Sequence, residues 1–106
     1  MYILKRSSHN PLIAPQNDKQ WESRATFNPC PVRQGKITHL LYRALGHPDA
    51  LMAPAGLSII GKAMSVDGKH FHDRRPFILP EEPWEKYGCE DPRVSFLEGT
   101  HVICYT

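Results

Sequence analysis

The chain has 106 residues, enough for one small domain. Hydrophobic residues make up 41% and charged residues 23%, the balance of a globular chain rather than a disordered one. The net charge of +2 comes from scattered Lys and Arg, which excludes a basic nucleic-acid footprint, and no apolar stretch is long enough to span a membrane.

Residues 2–6 read as a short strand, with no apolar core long enough for a signal peptide, so a cytoplasmic location is expected. Asn10 to Pro15 is extended between prolines, and Gln16 to Gln20 is a polar loop. Trp21-Glu22-Ser23 leads into the β-prone Ala25-Thr26-Phe27. Asn28-Pro29-Cys30-Pro31-Val32 enters a hairpin whose turn is Gln34-Gly35, and Lys36 to Ala44 is a strong strand. A loop from Leu45 to Gly56 follows, with one helical turn expected over Pro48 to Met52. Leu57 to Ser65 is the next strand. Asp67-Gly68 signals a hairpin, with Lys69 to His72 as the return strand. Arg75 to Pro80 is extended, and Glu81 to Tyr87 is a loop. Gly88 to Val94 precedes Ser95-Phe96-Leu97, a turn at Glu98-Gly99, and a last strand from Thr100. Ten prolines, about twice the average share, disfavour long helices. The chain reads as all-β. Its three cysteines have no CxxC spacing and suggest neither a disulfide framework nor a zinc site; they read as buried free thiols.

An internal repeat runs through these elements. Asn28-Pro29, Val32, Gly35 and Tyr42 correspond to Asp91-Pro92, Val94, Gly99 and Tyr105. Asn28 and Asp91 lie 63 positions apart, as do Tyr42 and Tyr105, whereas the turn glycines suggest a one-residue slip. A period of this size suits a β-propeller blade with long loops. The first blade is expected over about residues 20–85 and the start of a second over about 86–106. The chain is therefore expected to be the N-terminal portion of a longer propeller, under two blades, with an uncovered edge strand and poor stability alone.

Gly88-Cys89-Glu90-Asp91-Pro92-Arg93-Val94 carries the most chemistry. Adjacent carboxylates disfavour each other's ionisation, which suits general-acid work. Pro92 should push Asp91 toward an extended backbone, so that Glu90 and Asp91 face opposite ways. Taken alone, the motif reads more readily as an Asx-type turn. The repeat places Asp91 opposite Asn28, where both can face one pocket from adjacent blades. Arg43 ends an apolar strand and needs a partner, either a ligand or a carboxylate such as Asp91. His70 and His72 share a face if their strand exists, which permits a metal but fits a solvated face better. Trp21 and Trp84 sit in loops, where stacking on sugars and simple packing are both open.

The ordered set of motifs resembles glycoside hydrolase family 130, the mannoside phosphorylases and related β-mannosidases. The matching pieces include Asn10-Pro11-Leu12-Ile13, Trp21-Glu22-Ser23, Thr26-Phe27-Asn28-Pro29, Leu40-Leu41-Tyr42-Arg43-Ala44, Ile60-Gly61-Lys62-Ala63, Ser65-Val66-Asp67-Gly68 and Gly88 to Val94. The resemblance implies a five-bladed β-propeller of which this chain is the N-terminal third. It implies that Asp91 is the single catalytic acid, protonating the glycosidic oxygen through a mannosyl hydroxyl while inorganic phosphate attacks with inversion. Asn28 and Arg43 would bind the mannosyl unit, and Glu90 and Arg93 would line or brace the site. The partners implied are a β-mannoside oligosaccharide and phosphate, with no cofactor, no metal, no nucleic acid and no membrane; a homo-oligomer is compatible. The phosphate-gripping residues of the family lie beyond Thr106, so the alternatives of a β-mannosidase and a non-catalytic propeller fragment stay open.

Overall fold

A computed structural model describes residues 1–49 and 56–106. Four strands form an antiparallel sheet in sequence order: β1 (Ala25–Gln34), β2 (Ile37–Leu45), β3 (Ser58–Ser65) and β4 (His72–Ile78). A separate hairpin follows, β5 (Arg93–Leu97) with β6 (Thr100–Cys104). The fold is all-β among the described residues, apart from 3-10 turns at Gln20–Glu22 and Pro83–Glu85.

Side chains of β2 and β3 alternate between two apolar faces, because successive residues of a strand point to opposite sides. Tyr42, Ala44, Ile59 and Ala63 form one face and pack with Trp21 and Ile13. Leu41 and Ile60 form the other and pack with Cys89, Val94 and Ile103, which bring the second hairpin against the first sheet. β2 and β3 are thus covered on both sides, which is why they read as near-continuous apolar runs. Gly61 makes room for Trp21, since a Cβ there would lie 2.7 Å from the indole ring. Beneath this layer, the fully buried Glu22 carboxylate accepts hydrogen bonds from the Tyr42 hydroxyl and from Arg74, both at 2.8 Å. Arg74 also donates to the Ala14 carbonyl and so ties the N-terminal segment to β4.

The repeat is structural and longer than the motifs suggested. In the first hairpin, Phe27 pairs with Arg43 and Cys30 with Leu41, so Asn28 and Pro29 together oppose Tyr42 in a β-bulge. In the second, Glu90 exchanges both backbone hydrogen bonds with Thr106, and Arg93 pairs with Cys104. Asp91 and Pro92 therefore oppose Tyr105 in the same way. The tyrosine opposite each bulge bonds a glutamate in a preceding 3-10 turn, Tyr42 to Glu22 and Tyr105 to Glu85. Each glutamate follows a tryptophan, Trp21 or Trp84. The pairing from Cys30–Leu41 to the turn matches that from Arg93–Cys104 position for position.

Several expectations are corrected here. The strands do not slip: Gly35 takes the first central position of one turn at φ +60°, while Glu98 and Gly99 take both positions of the other at +47° and +79°. These are two kinds of two-residue hairpin turn in one register. Residues 2–6 form no strand and lie exposed. The return strand begins at His72, because the Asp67 carboxylate accepts the backbone N–H groups of Lys69 and His70 and holds a six-residue loop. His70 is thereby outside the strand, with its ring 2.6 Å from Asp67, and does not share a face with His72. Of the cysteines only Cys89 is buried; Cys30 is intermediate and Cys104 exposed. The helical turn expected over Pro48 to Met52 runs into positions 50–55, outside the described residues.

The Glu85–Tyr105 bond makes a pH prediction. Tyr105 holds the Glu85 carboxyl below its ordinary value of 4.5, and Glu85 pushes the phenol from 10.0 up to about 12. A lowered acid stabilises the fold above its unfolded value and loses that contribution as pH falls; a raised phenol does so below its unfolded value and loses it as pH rises. The urea midpoint of the wild type, followed by tryptophan fluorescence, should therefore exceed that of Tyr105→Phe between pH 4.5 and 10. The two curves should converge in acid below that window and in alkali approaching pH 12. A constant difference across the whole range would contradict the assignment.

Candidate functional site

The two bulges place the site. A bulge twists a strand and re-aims a side chain. Asn28 and Asp91 occupy equivalent bulge positions in the left-handed backbone region, at φ +49° and +51°. Asn and Asp tolerate this region better than other side chains with a Cβ. Their side chains meet between the sheets, where the Asn28 amide donates to an Asp91 carboxylate oxygen at 2.7 Å. Asp91 was expected to be extended ahead of Pro92. Instead the bulge sets its backbone, and Pro92 beside it is buried.

Arg43 joins this pair from β2. Its guanidinium donates to Glu90 at 2.5 Å and to the Ser58 hydroxyl at 2.8 Å, and lies 3.8 Å from Asp91. The Phe27 ring, its cross-strand partner, lies 4.8 Å below the guanidinium carbon. Both carboxylates of the Glu90-Asp91 pair thus approach one cation, rather than facing opposite ways. The turn at Asp91 removes the alternation that an extended strand would impose. The close partner of Arg43 is Glu90, whereas sequence reasoning had offered Asp91.

A backbone junction holds the second half of the site against the first. The Cys89 N–H donates to the Ser58 carbonyl at 2.9 Å, and Gly88 forms a parallel bridge with Ser58. Gly88 has φ +106°, and a Cβ there would lie 2.9 Å from both the nitrogen and the oxygen of Ser58. Burial raises the Cys89 thiol to about 11, with Glu85 adding to it, so Cys89 packs the junction as an unreactive thiol.

The structure brings Asn28, Arg43, Glu90 and Asp91 together. Arg93 is exposed and donates to the carbonyl of its neighbour Pro92 at 2.7 Å. Of the tryptophans, Trp21 is buried in the core and Trp84 is 76% exposed. Ser58 and Phe27 are the contacts that sequence reasoning missed. Ser58 carries a faint signal, as a polar residue opening the buried run Ser58-Ile59-Ile60; Phe27 carries none beyond β propensity. Among the described residues no cluster of His, Cys, Asp and Glu is arranged to hold a metal ion. A cavity of about 150 Å³ between the sheets, lined by Val32, Leu41, Val94 and Ile103 among others, lies toward the hairpin turns and away from this polar cluster.

A four-stranded sheet, a repeated hairpin and a polar cluster where the two sheets meet define a propeller-type architecture with a candidate site at their junction. The family model described as beta-1,4-mannooligosaccharide phosphorylase matches residues 3–106. The chain belongs to glycoside hydrolase family 130. It is 33% identical to a beta-1,2-mannobiose phosphorylase of Thermoanaerobacter sp. (strain X514), an alignment covering all of this chain and 37% of the relative. It is also 33% identical to a 1,2-beta-oligomannan phosphorylase of the same organism, covering all of this chain and 36% of that protein. A crystal structure of a glycosyl hydrolase from Bacteroides ovatus superposes with a TM-score of 0.78 at 29% identity, over 95% of this chain and 33% of the other. A further structure superposes with a TM-score of 0.72 at 27% identity, over 95% and 33% of the two chains. It comes from work describing glycoside hydrolases, within the family of mannoside phosphorylases, that target β-1,2 mannosidic linkages in Candida mannan. The chain thus spans just over a third of the curated relatives it matches.

The Gly88 junction can be tested by stability. Gly88→Ala places a Cβ against the Ser58 backbone and imposes a left-handed conformation on a residue that resists it. It should destabilise the fold by about 2–4 kcal/mol in urea denaturation. An unchanged midpoint would show that the loop does not lie on Ser58.

Proposed function

We propose that the polypeptide carrying this chain is a β-mannoside phosphorylase, and that these residues form the sugar-facing part of its active site. The observation that carries the reading is the convergence of Asn28, Arg43 and Asp91 from two sheets on one point. Both curated relatives aligned over the whole chain are mannoside phosphorylases.

In this reading Asp91 is the acid. It gives its proton to a hydroxyl of the mannosyl unit, which passes its own proton to the glycosidic oxygen. The bond from the anomeric carbon to that oxygen breaks, and a bond to a phosphate oxygen forms from the opposite face. The products are α-mannose 1-phosphate and the shortened acceptor. Phosphate is already a nucleophile, so no carboxylate is required to activate water. Asn28 orients the Asp91 carboxylate, and its remaining amide capacity can meet a sugar hydroxyl. Arg43, with Glu90 on one side, offers its other N–H donors to the sugar. Arg93 braces the loop through Pro92. The reaction needs no cofactor beyond phosphate as co-substrate. A cytoplasmic location follows from its logic, since a sugar phosphate is retained and used inside a cell.

A second reading is a β-mannosidase, because a structurally similar family member comes from work on glycoside hydrolases that target β-1,2 mannosidic linkages. One assay separates the two. The longest natural polypeptide containing these residues is given β-1,2- and β-1,4-mannobiose with and without phosphate. Phosphate-dependent release of mannose 1-phosphate is expected. Free mannose released without phosphate would replace the phosphorylase by the hydrolase, and no turnover of any β-mannoside would overturn both. Asp91→Asn should lower turnover by about 10²–10⁴-fold, the usual contribution of a general acid. Near wild-type turnover in that variant would remove Asp91 from the role.

A further inference from the structure

We infer that Ser58 is a positioning residue of this site, setting the orientation of the Arg43 guanidinium through its hydroxyl while its backbone carries the loop that bears Glu90 and Asp91. The inference rests on the reading of Arg43 as a sugar-binding residue.

Ser58 is only 2% exposed and opens an apolar run with Ile59 and Ile60. A buried hydroxyl costs stability unless it is hydrogen-bonded, and an alanine would fill the same place at no such cost. Among the described residues its hydroxyl bonds one side chain, Arg43, through Nε at 2.8 Å. Nε is the inner edge of the guanidinium. Fixing it, with the Phe27 ring below, sets the rotation of the planar group about its own stem. The same rotation carries one terminal nitrogen to Glu90 at 2.5 Å and leaves the other 3.8 Å from Asp91. The Ser58 carbonyl meanwhile accepts the Cys89 N–H at 2.9 Å, one residue before Glu90. One residue of β3 thus sets both the cation and the backbone that carries its carboxylates. Its side chain and its backbone act on different partners, so a side-chain substitution separates the two roles.

The test uses the longest natural polypeptide that includes this chain, assayed with β-mannobiose and phosphate. Ser58→Ala removes the acceptor and keeps the backbone junction. It should raise KM for the mannoside about tenfold or more, the effect of one charge-assisted hydrogen bond, with kcat falling less than threefold. Ser58→Thr restores the hydroxyl and should return KM to within about threefold of wild type. The double variant with Arg43→Ala should show no further rise in KM beyond Arg43→Ala alone, because the two residues act as one unit. A wild-type KM in Ser58→Ala, or fully additive effects in the double variant, overturns the role of Ser58. A wild-type KM in Arg43→Ala overturns the underlying reading instead. If Ser58→Ala does not accumulate as folded protein, Ser58→Cys, similar in size but a weak acceptor, decides by the same KM and additivity criteria.

Discussion

A guanidinium that leaves water must be surrounded by partners, and Arg43 meets that demand across a boundary between two sheets. Its side chain retains 21% of its exposure. Its partners come from three directions: Phe27 on β1, Ser58 on β3, and Glu90 in the loop before β5. The last of these belongs to the second hairpin. The pairing that satisfies the arginine is therefore also what sets the 88–91 loop against the four-stranded sheet. The apolar contact of Leu41 and Ile60 with Cys89, Val94 and Ile103 brings the two sheets together without specifying their register. The charge, the Ser58 carbonyl and the glycine at 88 supply the specificity. Packing and site geometry are consequences of one arrangement.

The repeat explains how such a site arises from ordinary parts. Each unit consists of a Trp-Glu turn, a two-residue bulge ending in proline, a tyrosine opposite the bulge that bonds the glutamate, and a hairpin in the same register. The scaffold is duplicated and the chemistry is not. At equivalent positions the first unit carries Phe27, Asn28 and Arg43, and the second carries Glu90, Asp91 and Thr106. A neutral amide therefore meets a carboxylate, and a cation meets the acid that replaces its own aromatic neighbour. Two identical copies would have put like groups together at the junction. The tryptophans show the same divergence of environment. Trp21 is covered by Gly61 of the third strand, while Trp84 is 76% exposed beside a hairpin with no third strand among the described residues.

Much of this was legible in the sequence where local chemistry decides the outcome. The apolar runs of β2 and β3 announced strands, and the spacing of Asn28-Pro29 and Asp91-Pro92 announced the repeat. That spacing puts Asn28 and Asp91 in one place, and the structure joins them by a hydrogen bond. What failed were inferences from a single neighbour. Pro92 argued for an extended Asp91, but the bulge opposite Tyr105 imposes φ +51°. Alternation argued that Glu90 and Asp91 diverge, but alternation ends where the backbone turns. Asp67-Gly68 argued for a tight hairpin, yet the Asp67 carboxylate captures two backbone N–H groups and lengthens the loop. Ser58 was only faintly legible because its contacts are with a residue 15 positions earlier and a loop 30 positions later, joined only by the tertiary fold.

The distribution of charge around the cluster bears on what kind of reaction it can join. Arg43 is already engaged by Glu90 at 2.5 Å and lies 3.8 Å from Asp91. Lys62, on the same sheet, lies over the Phe77 ring, and Arg93 turns to the Pro92 carbonyl. A phosphate dianion needs several donors or cations directed at its oxygens. The cluster described here instead presents an amide, two carboxylates and a largely neutralised guanidinium, a set suited to the hydroxyl groups of a sugar. Under the proposed function, these residues serve the glycosyl half of the reaction.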